Sequence, residues 1–425
     1  MGSVDVNILY AVHAYKPAYR VGGPVLSVSA AAEMLVRKGH RVTVFTSNSN
    51  LDEDLDVPTD RPIDVEGVEV WYFRRHEPLQ KWLPFVPYLS RSIGFLYCPA
   101  MRDALSRVVP SVDMVDTQMP FVYPSYAAAH AAFRYNKPLF YHQRGIFNEA
   151  RLRFRGAKKR LYIAAIERPI MRRATTLIAL SDGEQRAFRL LGVATPCEIV
   201  PNGVDVPAPP EGASERVEQR FGIPRTAPVV LFLGRLHPIK GAAILLHAFM
   251  DAARRVPEAV LVMAGPDESR LISEWQLRLA DHNLKNRIVF TGMLTGTDKD
   301  DMLARSDLFC LPSVGEGFSM AVLEALANRT AVMLSPGCNF PEVETAGAGR
   351  IVASDIPRMV DALVDLLGDR ERLKRMGEAG YAFVAKNYSW DAITERLIAT
   401  YNEGIERFAR EKSLLGVPAI DYSSR

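Results

Sequence analysis

The sequence predicts an α/β chain built as two doubly wound domains, each a parallel sheet with helices on both faces. Three observations carry this. Short apolar runs alternate with helical patterns along the whole chain, as βα repeats require. The alternation stops once, in Pro201-Asn-Gly-Val-Asp-Val-Pro-Ala-Pro-Pro-Glu-Gly212, where prolines and glycines allow neither helix nor strand to continue. It then restarts with the same opening, a strand, a glycine-containing loop and a helix.

In the first half, strands are predicted at 6–12, 41–46, 68–73, 114–117, 139–142, 176–180 and 198–200. The first is followed by Val21-Gly-Gly-Pro24, with Pro24 suited to the first position of a helix. In the second half, strands are predicted at 229–234, 260–264, 288–291, 308–311 and 331–334, each leading into a helical stretch. The last pattern, Trp390 to Tyr401, has apolar residues at helical spacing and is expected to leave its own domain and cross back. The expected division is 1–203, completed by a helix at about 389–411, and 204–388.

With 425 residues and 48% hydrophobic content, the chain has enough apolar surface for two cores. A net charge of +3 gives no reason to expect nucleic acid as a partner. Cys98, Cys197, Cys310 and Cys338 stand singly, without metal-ligand or redox spacing, and read as core residues of a reducing compartment. The start of the chain lacks a basic, apolar leader, and Arg91 interrupts the best apolar run, between Pro84 and Met101, short of the roughly 18 residues a membrane span needs. A cytoplasmic protein is expected, with any membrane contact peripheral.

The strongest local signal is Ser313-Val-Gly-Glu-Gly-Phe-Ser-Met-Ala-Val-Leu-Glu-Ala-Leu-Ala-Asn328. Glu316 lies between two glycines that let backbone approach a ligand, and Glu324 lies inside a helix that Ser319 is expected to cap. Helical side chains lean toward the N-terminus, so both acids are expected to reach one ligand there. A helix start attracts phosphate, whereas two carboxylates repel it unless neutral hydroxyls stand between them. A sugar and a ribose joined by a diphosphate meet that condition. Leu231-Phe-Leu-Gly-Arg-Leu-His-Pro-Ile-Lys-Gly241 adds two cations, Arg235 and Lys240, beyond a buried strand, where they would stabilise a departing diphosphate in place of a metal.

Other segments are weaker. Gly22 and Gly23 allow close backbone approach but lack the third glycine of a dinucleotide fingerprint. Leu139-Phe-Tyr-His-Gln-Arg-Gly145 places His142, Gln143 and Arg144 at a strand end, one of them facing the reacting groups. Asp52-Glu-Asp54 resembles a metal motif, but no buried strand aims it at a nucleotide; Asp298, Asp300 and Asp301 read as acids at a helix start. From Arg151 to Arg173 there are nine basic residues and one acid, Glu167, among apolar residues, and 82–88 is aromatic-rich; together these fit contact with an anionic membrane.

The paired Gly22-Gly23 loop, Lys38-Gly-His-Arg-Val-Thr-Val-Phe-Thr46, Pro201-Asn-Gly-Val-Asp205, Gly234-Arg-Leu with Lys240-Gly241, the Glu316/Glu324 motif and Tyr388-Ser-Trp390 resemble the family-4 retaining glycosyltransferases of GT-B fold over almost the whole length. The resemblance implies two Rossmann-like domains facing across a cleft. The first would hold the acceptor and the second a nucleoside-diphosphate sugar. It places Arg235 and Lys240 on the diphosphate, Glu324 on the ribose and Glu316 on the donor sugar. The amides of Gly317, Phe318 and Ser319 would lie in the same pocket, Leu294 near the base, Gly23 beside the donor and Asn202 at the hinge. It further implies catalysis without metal or cofactor and with retention of configuration. Ser319 stands where many members have Gly, and His142-Gln-Arg-Gly145 departs from the family's single His, which leaves His142 and Arg144 both open for that role. Cys338-Asn-Phe-Pro-Glu342 beside the Arg-Gly pair looks like bacterial enzymes of surface-polysaccharide assembly.

The expected activity is therefore transfer of a hexose from a UDP- or GDP-sugar to a hydroxyl of a lipid-linked or saccharide acceptor. A sugar-nucleotide epimerase or hydrolase of the same fold would release or rearrange sugar without an acceptor. A silent sugar-nucleotide-binding subunit would bind without turnover.

Overall fold

A computed structural model describes residues 5–51, 53–76, 96–147, 157–267, 270–280, 284 and 286–414. The chain divides into two compact units, Met1–Gly203 with Trp390–Arg425, and Val204–Ser389. The boundary falls inside the proline- and glycine-rich segment.

The first unit is an eight-stranded sheet of β1 (Asn7–Val12), β2 (Arg41–Ser47), β3 (Pro62–Val65), β4 (Val68–Phe73), β5 (Met114–Gln118), β6 (Leu139–His142), β7 (Thr176–Ala179) and β8 (Cys197–Ile199). Its spatial order is β8-β7-β6-β5-β1-β2-β4-β3. All neighbours run parallel except β3, which pairs antiparallel with β4 at the edge. Strand order reverses between β1 and β5, the place where doubly wound sheets open a crevice at their carboxyl ends. β5 is buried at every position despite its sequence Met-Val-Asp-Thr-Gln, so Asp116 and Gln118 are polar groups inside a core and must find partners there.

The helix Trp390–Leu414 belongs to this unit and runs past the expected end at 411. Trp390 packs on Ala31 and Met34. Gly404 leaves room for the Phe140 ring, since a Cβ there would lie 2.5 Å from it. Arg407 Nη2 donates to Thr175 O at 2.9 Å, and Lys38 reaches Asp391 at 3.2 Å.

The second unit is a six-stranded parallel sheet of β9 (Val229–Leu233), β10 (Val260–Ala264), β11 (Ile288–Gly292), β12 (Leu308–Leu311), β13 (Ala331–Leu334) and β14 (Gly349–Ile351). The order is β11-β10-β9-β12-β13-β14, with the reversal between β9 and β12. β10, β12 and β13 are buried along their whole length, as continuous apolar runs covered by helices on both faces should be.

Several expectations are corrected. β3 and β14 were not predicted, nor was the small hairpin pairing Ser49–Asn50 with Glu53–Asp54. The helix after Gly22 begins at Gly23, with Pro24 second. Cys98, Cys310 and Cys338 are buried, whereas Cys197 is only half-buried on edge strand β8. The segment 82–88 and the metal-like Asp52 lie outside the described residues. Among the described residues no helix is long and apolar enough to cross a membrane.

Candidate functional site

In the second unit, the loops after β9, β12 and β13 meet beside the strand-order reversal. Gly241 ends the turn Pro238–Lys240 with φ 71, and a Cβ there would lie 2.2 Å from the Pro312 carbonyl oxygen. Only glycine fits both that backbone and that approach. Val314 N donates to Ile239 O at 2.8 Å and Ser313 Oγ to the same oxygen at 2.9 Å, which stitches the β9 loop to the β12 loop. Glu316 N donates to Gly337 O at 2.8 Å, and Asn339 Nδ2 to Glu316 O at 2.8 Å, which adds the β13 loop.

This stitching brings Lys240 and Glu316, distant in sequence, into contact: Lys240 Nζ donates to Oε1 at 2.7 Å and Oε2 at 2.9 Å. Glu316 is 8% exposed. Arg235 stands exposed just beyond β9. Gly317 and Phe318 lead into the helix Met320–Ala327, and Phe318 stacks on Tyr388 at a 5.9 Å ring separation. Ser319 occupies the N-cap position, but its side chain makes no capping bond, contrary to expectation. The first-turn amides are thus left without a side-chain cap, an arrangement suited to an incoming anion.

Glu324 sits on this helix, half-buried, and accepts from Lys299 Nζ at 3.1 Å. The two acids are therefore held by different lysines. Lys299, on the helix Gly296–Arg305, was missed in the sequence because its partner is 25 positions away and its neighbours Asp298, Asp300 and Asp301 dominate the local pattern. Of those acids, Asp301 pairs with Arg216 at 2.6 Å and Asp298 with Arg220 at 2.9 Å. Leu294 is buried in the loop that precedes this helix.

In the first unit, Gly22 has φ 95 and neither Gly22 nor Gly23 has an atom within 4 Å of a built Cβ, so open space lies beside this backbone. His142 is 2% exposed; its Nε2 lies 3.0 Å from Asp116 Oδ2 but off the hydrogen-bond line, leaving both ring nitrogens unsatisfied. Burial pulls its pKa down against the opposing pull of Asp116. Arg144, more exposed, donates Nε to Gln118 Oε1 at 2.7 Å and Nη1 to Asn202 Oδ1 at 2.6 Å. Asn202 is thus an anchor for Arg144. Glu53 and Asp54 are taken by Arg20 at 2.7 Å and Arg75 at 2.5 Å. Among the described residues no three His, Cys, Asp or Glu gather as metal ligands.

Residues 22–203 match the family described as glycosyl transferase 4-like domain, and residues 213–383 match glycosyl transferases group 1. Each match falls within one of the two units. It is 32% identical over 212 residues to a GDP-mannose-dependent monoacylated alpha-(1-6)-phosphatidylinositol monomannoside mannosyltransferase of Corynebacterium glutamicum, covering 47% of this chain and 54% of that one. It is 30% identical over 244 residues to a phosphatidyl-myo-inositol mannosyltransferase of Mycobacterium tuberculosis, covering 56% and 61%. The chain thus spans a little over half the length of these curated relatives. Among solved structures, Anabaena Alr3699/HepE in complex with UDP gives a TM-score of 0.72 at 18% identity, covering 93% of this chain and 100% of that one. WaaG, a glycosyltransferase involved in lipopolysaccharide biosynthesis, gives 0.65 at 16%, covering 92% and 98%. These likenesses establish the GT-B fold.

Proposed function

We propose that the chain is a retaining, metal-independent glycosyltransferase that moves a hexose from a UDP- or GDP-sugar to a hydroxyl of a lipid-linked or saccharide acceptor. The observation that carries this reading is the Lys240–Glu316 pair at the strand-order reversal of the second unit, beside an uncapped helix start. The named relatives, which include a GDP-mannose-dependent enzyme and a UDP-bound structure, support a nucleotide-sugar donor and leave both bases open.

When a donor enters, its diphosphate takes Lys240, Arg235 and the amides of Gly317 to Ser319, while its sugar hydroxyls donate to Glu316. Lys240 exchanges one anion for another, so Glu316 gains its hydroxyl donors as it loses its lysine. Glu324 accepts from the ribose and Leu294 lies by the base. As the bond from the anomeric carbon to the phosphate oxygen breaks, the acceptor oxygen bonds to that carbon on the same face, and its proton passes to the departing phosphate oxygen. Fixed cations and dipoles favour this step because negative charge grows on the leaving group.

Peripheral contact with an anionic membrane is part of the proposal. Lys159, Arg160 and Leu161 are exposed, while Glu167, the one acid of that stretch, is buried, accepting from Tyr141 Oη at 2.7 Å and Phe121 N at 2.8 Å. The outward side is therefore basic and apolar. The function is tested by thermal-shift screening against UDP- and GDP-sugars, followed by product analysis with the stabilising donor. A stabilising donor whose sugar reaches a hydroxyl with retained configuration supports the reading. Free sugar in the absence of any acceptor, or binding with no turnover across a broad acceptor panel, overturns it.

A further inference from the structure

The carboxyl ends of β1, β5 and β6 place Val12, Gln118 and His142 side by side in register. His13 follows one residue beyond this row. It is 1% exposed, and neither ring nitrogen has a hydrogen-bond partner among the described residues. Burial holds its pKa down at about 4, so the imidazole is neutral near pH 7. Buried polar groups in folded proteins normally find partners, so an unpartnered imidazole at a strand end points to a partner from outside.

Arg144 stands at the same end, just past β6, with its backbone in the left-handed region at φ 48. Its two protein acceptors, Gln118 Oε1 and Asn202 Oδ1, are neutral amides, and Nη2 meets no acceptor among the described residues. Two nearby carboxylates, Asp116 and Glu184, act on Arg144 through space without hydrogen-bonding to it. Asp116 accepts from Gln118 Nε2 at 2.8 Å and from Tyr401 Oη at 2.5 Å; Glu184 accepts from Leu180 N at 2.8 Å. Asp116 thereby fixes the Gln118 amide so that its oxygen faces Arg144. Tyr401 gives its proton to Asp116, so in the 2.9 Å contact between the two hydroxyls Tyr10 donates to Tyr401. The helix Trp390–Leu414 thus helps hold the guanidinium at a fixed angle. A planar cation held at Nε and Nη1 by neutral groups keeps its full charge and its Nη2 hydrogens for the oxygens of a phosphate or carboxylate.

We propose that Arg144 is the receptor for an anionic group carried by the acceptor, a phosphate or carboxylate near the hydroxyl that receives the sugar. This rests on the glycosyltransferase reading and narrows its acceptor to an acidic one. The alternative source of the same chemistry is the donor's own diphosphate, and the test separates the two.

The full chain is first saturated with UDP or GDP, whichever it binds, and inorganic pyrophosphate is then titrated by calorimetry. The expected result is a further anion site that Arg144→Gln weakens at least tenfold and Arg144→Lys weakens less, with nucleotide affinity unchanged in both. Retained melting temperature and nucleotide binding show that the variants are folded, and Arg144→Lys keeps the question answerable if Arg144→Gln does not fold. The proposal is overturned if no second anion binds, if both variants bind it as the natural chain does, or if Arg144→Gln weakens the nucleotide instead, which would assign Arg144 to the donor. Failure of nucleotide binding itself would reject the donor site at Lys240 and is read separately, in the first titration.

Discussion

Lys240 and Glu316 form a two-point ion pair, 2.7 and 2.9 Å, between loops that leave the two strands flanking the reversal of the second sheet. The pair neutralises a cation and an acid that a donor would need separately. Glu316→Ala should lower kcat by about a hundredfold or more, and Lys240→Ala by about a hundredfold to a thousandfold, the scale of one lost transition-state stabiliser. The double variant should cost less than the two combined, because each residue positions the other. Initial rates with a saturating donor check this. Melting temperature should fall more for Lys240→Ala, which leaves the nearly buried Glu316 unpaired, than for Glu316→Ala, which leaves a lysine with 21% of its side chain in contact with solvent.

Glu324 is held by Lys299 rather than by the cation that holds Glu316. If it accepts from ribose, Glu324→Gln should weaken the nucleotide about tenfold, the loss expected for hydrogen bonds to a charged group. A 2′,3′-dideoxynucleotide should lose the same factor with the natural chain and nothing further with the variant. Calorimetric titration of both nucleotides against both proteins checks the cycle.

Two buried groups in the first unit should oppose each other in pH. Burial lowers the His13 pKa from 6.5 to about 4, so its contribution to stability is present above pH 6.5 and is lost as pH falls toward 4. Burial raises the Glu184 pKa from 4.5 to about 7, so its contribution is present below pH 4.5 and is lost as pH rises toward 7. Between these limits the slopes offset. His13→Gln should leave stability falling with pH from about 4.5 to 7, and Glu184→Gln should leave it rising from about 4 to 6.5, each by a few kcal/mol. Urea unfolding of the natural chain and both variants across that range measures the slopes.

Gly241→Ala should destabilise the second unit by on the order of 2 kcal/mol or more, because φ 71 strains any Cβ and Pro312 O would lie 2.2 Å away. It should also displace Lys240. Gly292→Ala shares a positive φ of 69 but meets nothing within 4 Å, and should cost about 1 kcal/mol. Denaturant midpoints for the two variants separate backbone strain from steric contact.

In the second sheet β9, β10, β12 and β13 were legible because each is a buried apolar run between turn residues, as in Leu231-Phe-Leu-Gly234. β3 was not, because Pro62-Ile-Asp-Val65 opens with proline and alternates on an exposed edge, and β14 is three residues with a glycine. The motif around Glu316 was visible through its glycines and helix start, but the engagement of Glu316 by Lys240 and of Glu324 by Lys299 joins residues 76 and 25 positions apart. Ser319 has the residue type of a cap without the geometry of one. The buried chain from Tyr10 through Tyr401 and Asp116 to Gln118 left no local signal, since one acid inside a strand pattern reads as noise until the sheet shows it at 0% exposure.

The most direct measurement is a crystal structure of the chain with a UDP- or GDP-sugar that stabilises it. The diphosphate should lie between Lys240 and the start of the helix Met320–Ala327, with Lys240 moved off Glu316 and sugar hydroxyls on that acid in its place. A nucleotide bound elsewhere, or one that leaves the Lys240–Glu316 pair intact, contradicts the account.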